Sequence, residues 1–212
     1  MGAMTGRGGL RSGTLRERKR ERTRAAIVAA GTRLFARRGY DATTIADIAA
    51  AADIGTRTFF SYFSSKEELL FPEHDRRIDG ALDAIARRSP EDRPADVLLN
   101  ALRTAGPVAG DSSSATTELR LRLMESVPAV RGRALDLQRR AEREIAARLH
   151  EAYPDQLDAA RASALVGAFI GAAAAATNAL LQDPEVAAGP SQIAARIYNA
   201  VAFALGQPDP GP

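Results

Sequence analysis

Apolar positions along this chain recur at three- and four-residue steps almost throughout, the period of helices that bury one face. From about Arg18, the residues Ile27, Ala30, Gly31 and Leu34 mark such a stripe, and Gly39 ends it. Thr43 and Thr44 then offer an N-cap to "IADIAAAA", a short helix with Ile45, Ile48 and Ala49 inward. Asp53-Ile54-Gly55 interrupts, and Thr56 to Phe63 resumes as a third helix. Ser65, with Glu68 three residues later, reads as a capping box that opens a fourth helix through "KEELL". Beyond Pro72, helices are expected near 73–88, 94–105, 115–126, 129–152, 156–182 and 191–205, divided by Pro- and Gly-containing breaks such as Ser89-Pro90, Gly106-Pro107 and Gly189-Pro190. The pattern holds no strand-like alternation and no long repeat, so the fold class is all-α.

The third helix has an odd composition, "TRTFFSYF". Phe59 and Phe63 are four apart and face inward, which leaves Phe60 and Tyr62 on other faces. Short helices joined by a tight turn have the dimensions of a helix-turn-helix unit, here over about residues 44–63. In such a unit the second helix enters the DNA major groove with its N-terminal residues on base edges. Thr56, Arg57 and Thr58 occupy that position. Phe60 can lie along the sugar-phosphate wall and Tyr62 can reach a phosphate oxygen, contacts that set register rather than sequence preference.

Charge supports a polyanionic partner at one end. The net charge is +3, yet residues 1–66 carry 13 Lys/Arg against 5 Asp/Glu, and the remainder carries 16 against 21. "RERKRERTR" at 16–24 reads either as an arm following a groove or as a solvated helix start paired by Glu17 and Glu21. With no cysteine, disulfides and thiolate metal sites are excluded, and a cytoplasmic home fits. Glu73, His74 and Asp75 are adjacent and cannot converge on one ion. No Ser-His-Asp set, phosphate loop or carboxylate pair can be assembled, so neither catalytic residues nor a metal or cofactor are expected. Residues 162–182 are uncharged and contain Gly167-x-x-x-Gly171, but only six are Leu, Ile, Val or Phe, and Asn178 lies inside. That composition suits a packed interface helix better than a membrane span.

The segment "TTIADIAAAADIGTRTFFSYFSSKEELL" resembles the N-terminal signature of the tetracycline-repressor (TetR) family, and the likeness runs over about residues 18–71. The resemblance implies that Thr44 caps the second helix beside a phosphate, that Thr56, Arg57 and Thr58 face the groove, and that Lys66 holds a backbone phosphate. Tyr62 stands at the family's usual His, Phe60 replaces the commoner Tyr, and Gly55 sits where Ser is frequent. It also implies a layout: a disordered basic arm (1–17), a DNA-binding domain (18–71), a helical effector-binding and dimerisation domain (72–206) and a flexible tail (207–212). The expected protein is a homodimeric regulator on a palindromic double-stranded operator, a repressor released by a small ligand; an activator or a general DNA-coating protein are the alternatives. The fourth helix, starting at Ser65 and bent near Pro72, would be the lever between the domains.

Beyond residue 72 the aromatics are Tyr153, Phe169, Tyr198 and Phe203, which argues against an aromatic cage for a cation and for an aliphatic or acyl ligand. Phe71, His74, Leu102, Met124 and Phe169 are the candidate contacts, each bulky and on a helix that the family uses. For His74 a surface position is the first expectation, ahead of a ligand-sensing or capping role. The helix at 156–182 and the last one, with Ile193, Ile197, Val201 and Leu205, would form the dimer interface, the intrachain core, or both.

Overall fold

The computed structural model describes residues 14–104, 114–182 and 190–207, and its chain divides into two compact units, Met1–Leu69 and Leu70–Pro212. Every regular element among the described residues is helical.

In the first unit, α1 (Leu15–Arg38), α2 (Ile45–Ala51) and α3 (Thr56–Phe60) pack in sequence order. Helix α1 begins ahead of the expected onset at Arg18. Thr14 Oγ1 accepts from the Glu17 N–H while the Glu17 carboxylate accepts from the Thr14 N–H, a capping box that fixes the first turn. The last residues of the expected 1–17 arm are therefore helical, and residues 1–13 lie outside the described part. Ile27, Ala30, Gly31 and Phe35 form the buried stripe, with Leu34 only half-buried. Gly31 is required by proximity, because a Cβ there would collide with the Leu69 side chain. Gly39 closes α1 at φ 86°, a left-handed backbone natural to glycine, with its N–H on the Phe35 carbonyl.

Helix α3 is shorter than expected; Ser61 and Tyr62 leave it as a turn, while Phe63 remains buried. The Ser65–Glu68 capping box and the α-helix it was to open are not formed. Instead the Glu68 carboxylate accepts from the Ser64 N–H, and Glu67–Leu70 make one turn of 3-10 helix. The cause lies upstream. Lys66 Nζ donates to the Tyr40 and Thr43 carbonyls at 2.9 Å each and sits 4.0 Å from the Tyr40 ring centroid, and the Tyr40 hydroxyl donates to Glu67. Those contacts fix the segment against the Gly39–Thr43 loop, and Pro72 has no N–H with which to continue a helix. The continuous lever from Ser65 is accordingly absent: the next helix begins at His74.

The second unit comprises α4 (His74–Ala86), α5 (Pro94–Thr104), α6 (Ser114–Ser126), α7 (Pro128–Ala152), α8 (Ala159–Gln182) and α9 (Pro190–Ala204). Helix α4 packs on α5 and α7, α7 also on α6 and α8, and α8 on α9. Pro128 starts α7 at a position where its missing N–H is harmless. The core joins Ile78, Ile85, Leu98, Leu149, Val166 and Ile197, all nearly inaccessible to solvent. Tyr153 Oη donates to the Asp92 carbonyl at 2.9 Å, and Arg88 donates to the Ala152 carbonyl at 2.7 Å while covering the Tyr153 ring, so the end of α7 is tied to the α4–α5 connection. Helix α8 turns a narrow stripe inward, Ala162, Val166, Phe169 and Thr177. Its stretch Ala159–Leu180 is long and apolar enough to cross a membrane by length and composition alone.

Candidate nucleic-acid interface and effector cavity

The first unit presents a polar rim on an aromatic anchor. Phe59 is fully buried and lies 5.9 Å from the Phe63 ring, which fixes α3 from below. Thr56, Arg57 and Thr58 are exposed at its N-terminus, where Gly55 supplies no side-chain cap. Phe60 is 57% exposed and stacks edge-on against Phe59, an apolar ring held out in water at some cost. Thr44 caps α2, its hydroxyl accepting from the Asp47 N–H at 3.1 Å while the Asp47 carboxylate accepts from the Thr44 N–H at 2.9 Å. The Thr44 hydroxyl and N–H hold the Asp47 carboxyl below the usual carboxylate range, with Arg38 adding to that. Asp53, at φ 54°, makes the turn between the two helices.

Lys66 also has partners within the unit. Its ammonium is directed at the Tyr40 and Thr43 carbonyls, leaving one of three N–H donors for another partner. The arginine arm also takes definite form. Arg20 sits 5.7 Å from the Tyr62 ring centroid, and Arg24 lies 4.5 Å from that of Phe63 while donating to the Tyr62 carbonyl at 3.4 Å. Those two positions on α1 were not singled out by sequence reasoning; their four-residue spacing was the available signal.

Within the second unit, a cavity of about 300 Å³ opens between α4, α5, α6, α7 and α8. Phe71, His74, Leu102, Met124 and Phe169 all lie in its wall. His74 is thus half-buried in a cavity rather than a surface residue, and its Nε2 is buried without a hydrogen-bond partner among the described residues. Burial pushes the imidazole below its ordinary pKa; Arg140, Arg133 and Arg77 push the same way and Asp75 opposes them. Three residues on from His74, Arg77 also lines the wall, and α6 contributes Arg120. Arg77 is exposed by surface area, yet protein atoms crowd its guanidinium, as happens when a side chain meets solvent through a cavity. Burial lowers both arginines, Arg120 to about 10, with Arg77 adding repulsion there. Neither arginine was legible as a wall residue: a helical arginine in sequence looks the same whether it faces solvent or a cavity.

Residues 27–71 match the family model described as bacterial regulatory proteins, tetR family. The chain is 32% identical over 130 residues to the HTH-type transcriptional regulator TcmR of Streptomyces glaucescens, covering 60% of this chain and 58% of that one. It is 36% identical over 89 residues to the HTH-type transcriptional repressor Rv3405c of Mycobacterium tuberculosis, covering 42% and 45% respectively. These matches thus span about half the length of the curated relatives. Among solved structures, a TetR-family transcriptional regulator from Syntrophomonas wolfei superposes with a TM-score of 0.59 at 18% identity, over 91% of this chain and all of the other. FadR of Thermus thermophilus, a TetR-family repressor in complex with lauroyl-CoA, gives 0.51 at 19% identity, over 89% and 98%. Likeness at that level of identity shows the fold.

Proposed function

Because the chain belongs to the tetR family of bacterial regulatory proteins, we propose that it is a non-enzymatic, DNA-binding transcriptional regulator, a repressor released from its operator by a small ligand. The observation that carries this reading is the exposed Thr56-Arg57-Thr58 edge seated on the buried Phe59–Phe63 pair, a rigid mount for base-reading side chains. Arg57 reads a base edge, Thr56 and Thr58 flank it, and Thr44, Phe60 and Tyr62 take the phosphate and sugar walls. Lys66 braces the loop and offers its remaining N–H to phosphate. Arg20, beside Tyr62, adds positive charge on the same face.

The protein acts as a homodimer on a palindromic operator, since paired reading helices about 34 Å apart match one turn of DNA. Supporting this, α8 shows an outer face of small residues, Ala164, Ala168, Gly171 and Ala175, and α9 carries Phe203 at 78% exposure. A cytoplasmic site of action follows from that role. The cavity in the second unit holds the effector. Phe71 and His74 follow the Glu67–Leu70 turn directly in the chain, so a ligand seated against them bears on the segment that joins the two units.

The test is titration of the purified protein against labelled DNA from upstream of its own gene, beside scrambled DNA, at two salt concentrations. Preference for the upstream DNA that persists at the higher salt supports the reading. Equal binding that vanishes with salt, followed by no enrichment in selection from random sequences, would favour a general DNA-coating protein.

A further inference from the structure

Helix α3 ends on an aromatic ring that faces water: Phe60 is 57% exposed, while its neighbour Phe59 is fully buried. A lone exposed apolar side chain is ordinary on a protein surface. This one stands on the reading helix and is held there, edge-on against the Phe59 ring with 5.6 Å between centroids. We infer that Phe60 is a sequence-reading residue, whose ring packs on the C5-methyl group of one thymine in each operator half-site. The inference rests on the reading of the chain as a DNA-binding regulator, and names a base feature that its exposed edge recognises.

Position on the helix is the first support. Thr56 opens α3 and Phe60 closes it; four residues apart, they share one side, so the ring stands one turn beyond the N-terminal edge that meets the bases. The surroundings select the partner. From Ile54 to Lys66 the chain has no Asp or Glu, and Arg57 and Lys66 bring positive charge, so this surface admits a polyanion. The ring is thereby presented to nucleic acid rather than to an apolar protein face.

Chemistry is the second support. A phenylalanine ring has no hydroxyl and makes no hydrogen bond to a phosphate. What a duplex offers such a ring is apolar surface: the deoxyribose of any nucleotide and, among the base edges of the major groove, the thymine methyl. That methyl projects at the margin of the groove beside its own strand, so a ring along the sugar wall covers it at the same time. Phosphate contact is left to Tyr62, which keeps its phenol and has Arg20 at 5.7 Å from its ring centroid. Packing the Phe60 ring on the methyl removes both from water, and the burial of one methyl is sufficient for a several-fold preference.

The test is a cycle on the full chain, as wild type and as Phe60→Ala. Each is titrated against an operator selected from random sequences, and against the same DNA with single thymines replaced by deoxyuridine, which keeps the base pair and removes only the methyl. One thymine in each half-site should respond: its uracil should weaken wild-type binding about three- to five-fold and leave Phe60→Ala binding unchanged. Phe60→Leu, which retains an apolar side chain, should keep part of the response, and it decides the question where Phe60→Ala no longer binds. An operator without a required thymine, tolerance of uracil at every position, or a penalty of equal size in wild type and variant overturns the inference. Any of those outcomes with specific operator binding intact sinks only this inference, whereas a selection that yields no sequence preference sinks the regulator reading and this inference with it.

Discussion

The two units place arginine in opposite surroundings. In the first, Arg57 stands in water on a short helix, and Arg20 and Arg24 lie over aromatic rings. In the second, Arg77 and Arg120 line a mainly apolar cavity and both lose proton affinity. A solvated guanidinium keeps its hydration and yields it only on meeting a polyanion, so its contribution is salt-dependent and sequence-reading. A guanidinium crowded by protein atoms holds its proton less tightly, because burial disfavours the charged form. The same side chain is therefore open to screening by salt in the first setting and partly sheltered from it in the second.

The largest effect expected in breaking this comparison comes from the scaffold of the first unit. Phe59→Ala removes a fully buried ring and should cost about 3–5 kcal/mol by denaturant unfolding, abolishing DNA binding. Retained DNA binding would mean that the anchor does not position the reading edge. Arg57→Ala comes next. Surface truncation there should leave stability within about 0.5 kcal/mol, yet cost about 1–3 kcal/mol of operator affinity and blur preference at one base pair. A uniform loss across sequences would move Arg57 to the phosphate contacts.

A smaller effect is expected at the Tyr40 clasp. Tyr40→Phe removes the hydrogen bond to Glu67 and should cost about 1–2 kcal/mol at neutral pH. Burial raises the Glu67 pKa, but hydrogen bonds from Ser65 and Tyr40 outweigh it, so the carboxyl lies below its usual range in the folded protein. A carboxyl whose folded pKa is depressed contributes stability above its unfolded pKa and loses it as pH falls through the folded value. The gap between Tyr40→Phe and wild type should therefore narrow in acid. A gap independent of pH would assign the loss to the ring contacts instead.

What was legible in the sequence follows the range of the interactions. The Thr44–Asp47 cap, the inward Phe59 and Phe63 and the exposed Thr56–Thr58 edge depend on neighbours within four residues, and their spacing displays them. Phe71, His74, Leu102, Met124 and Phe169 share one cavity wall, as bulk at positions marked by the resemblance suggested, although Phe71 itself lies outside any helix. By contrast, Ser65 and Glu68 matched a capping pattern that did not form, since Lys66 found better acceptors 26 residues upstream at Tyr40. Arg120 belongs to the same class: only the packing of α6 against α7 decides whether its guanidinium faces solvent or a cavity.

The Leu69 side chain lies against α1 at Gly31, and Lys66 and Glu67 grip the loop that follows α1. The first unit is thus fastened by its own last residues. A nascent chain that has emerged only as far as Phe63 already contains Thr56, Arg57 and Thr58, the proposed reading residues, but neither fastening. On the ribosome, the proposed reading edge is consequently fastened only once Lys66, Glu67 and Leu69 have emerged as well.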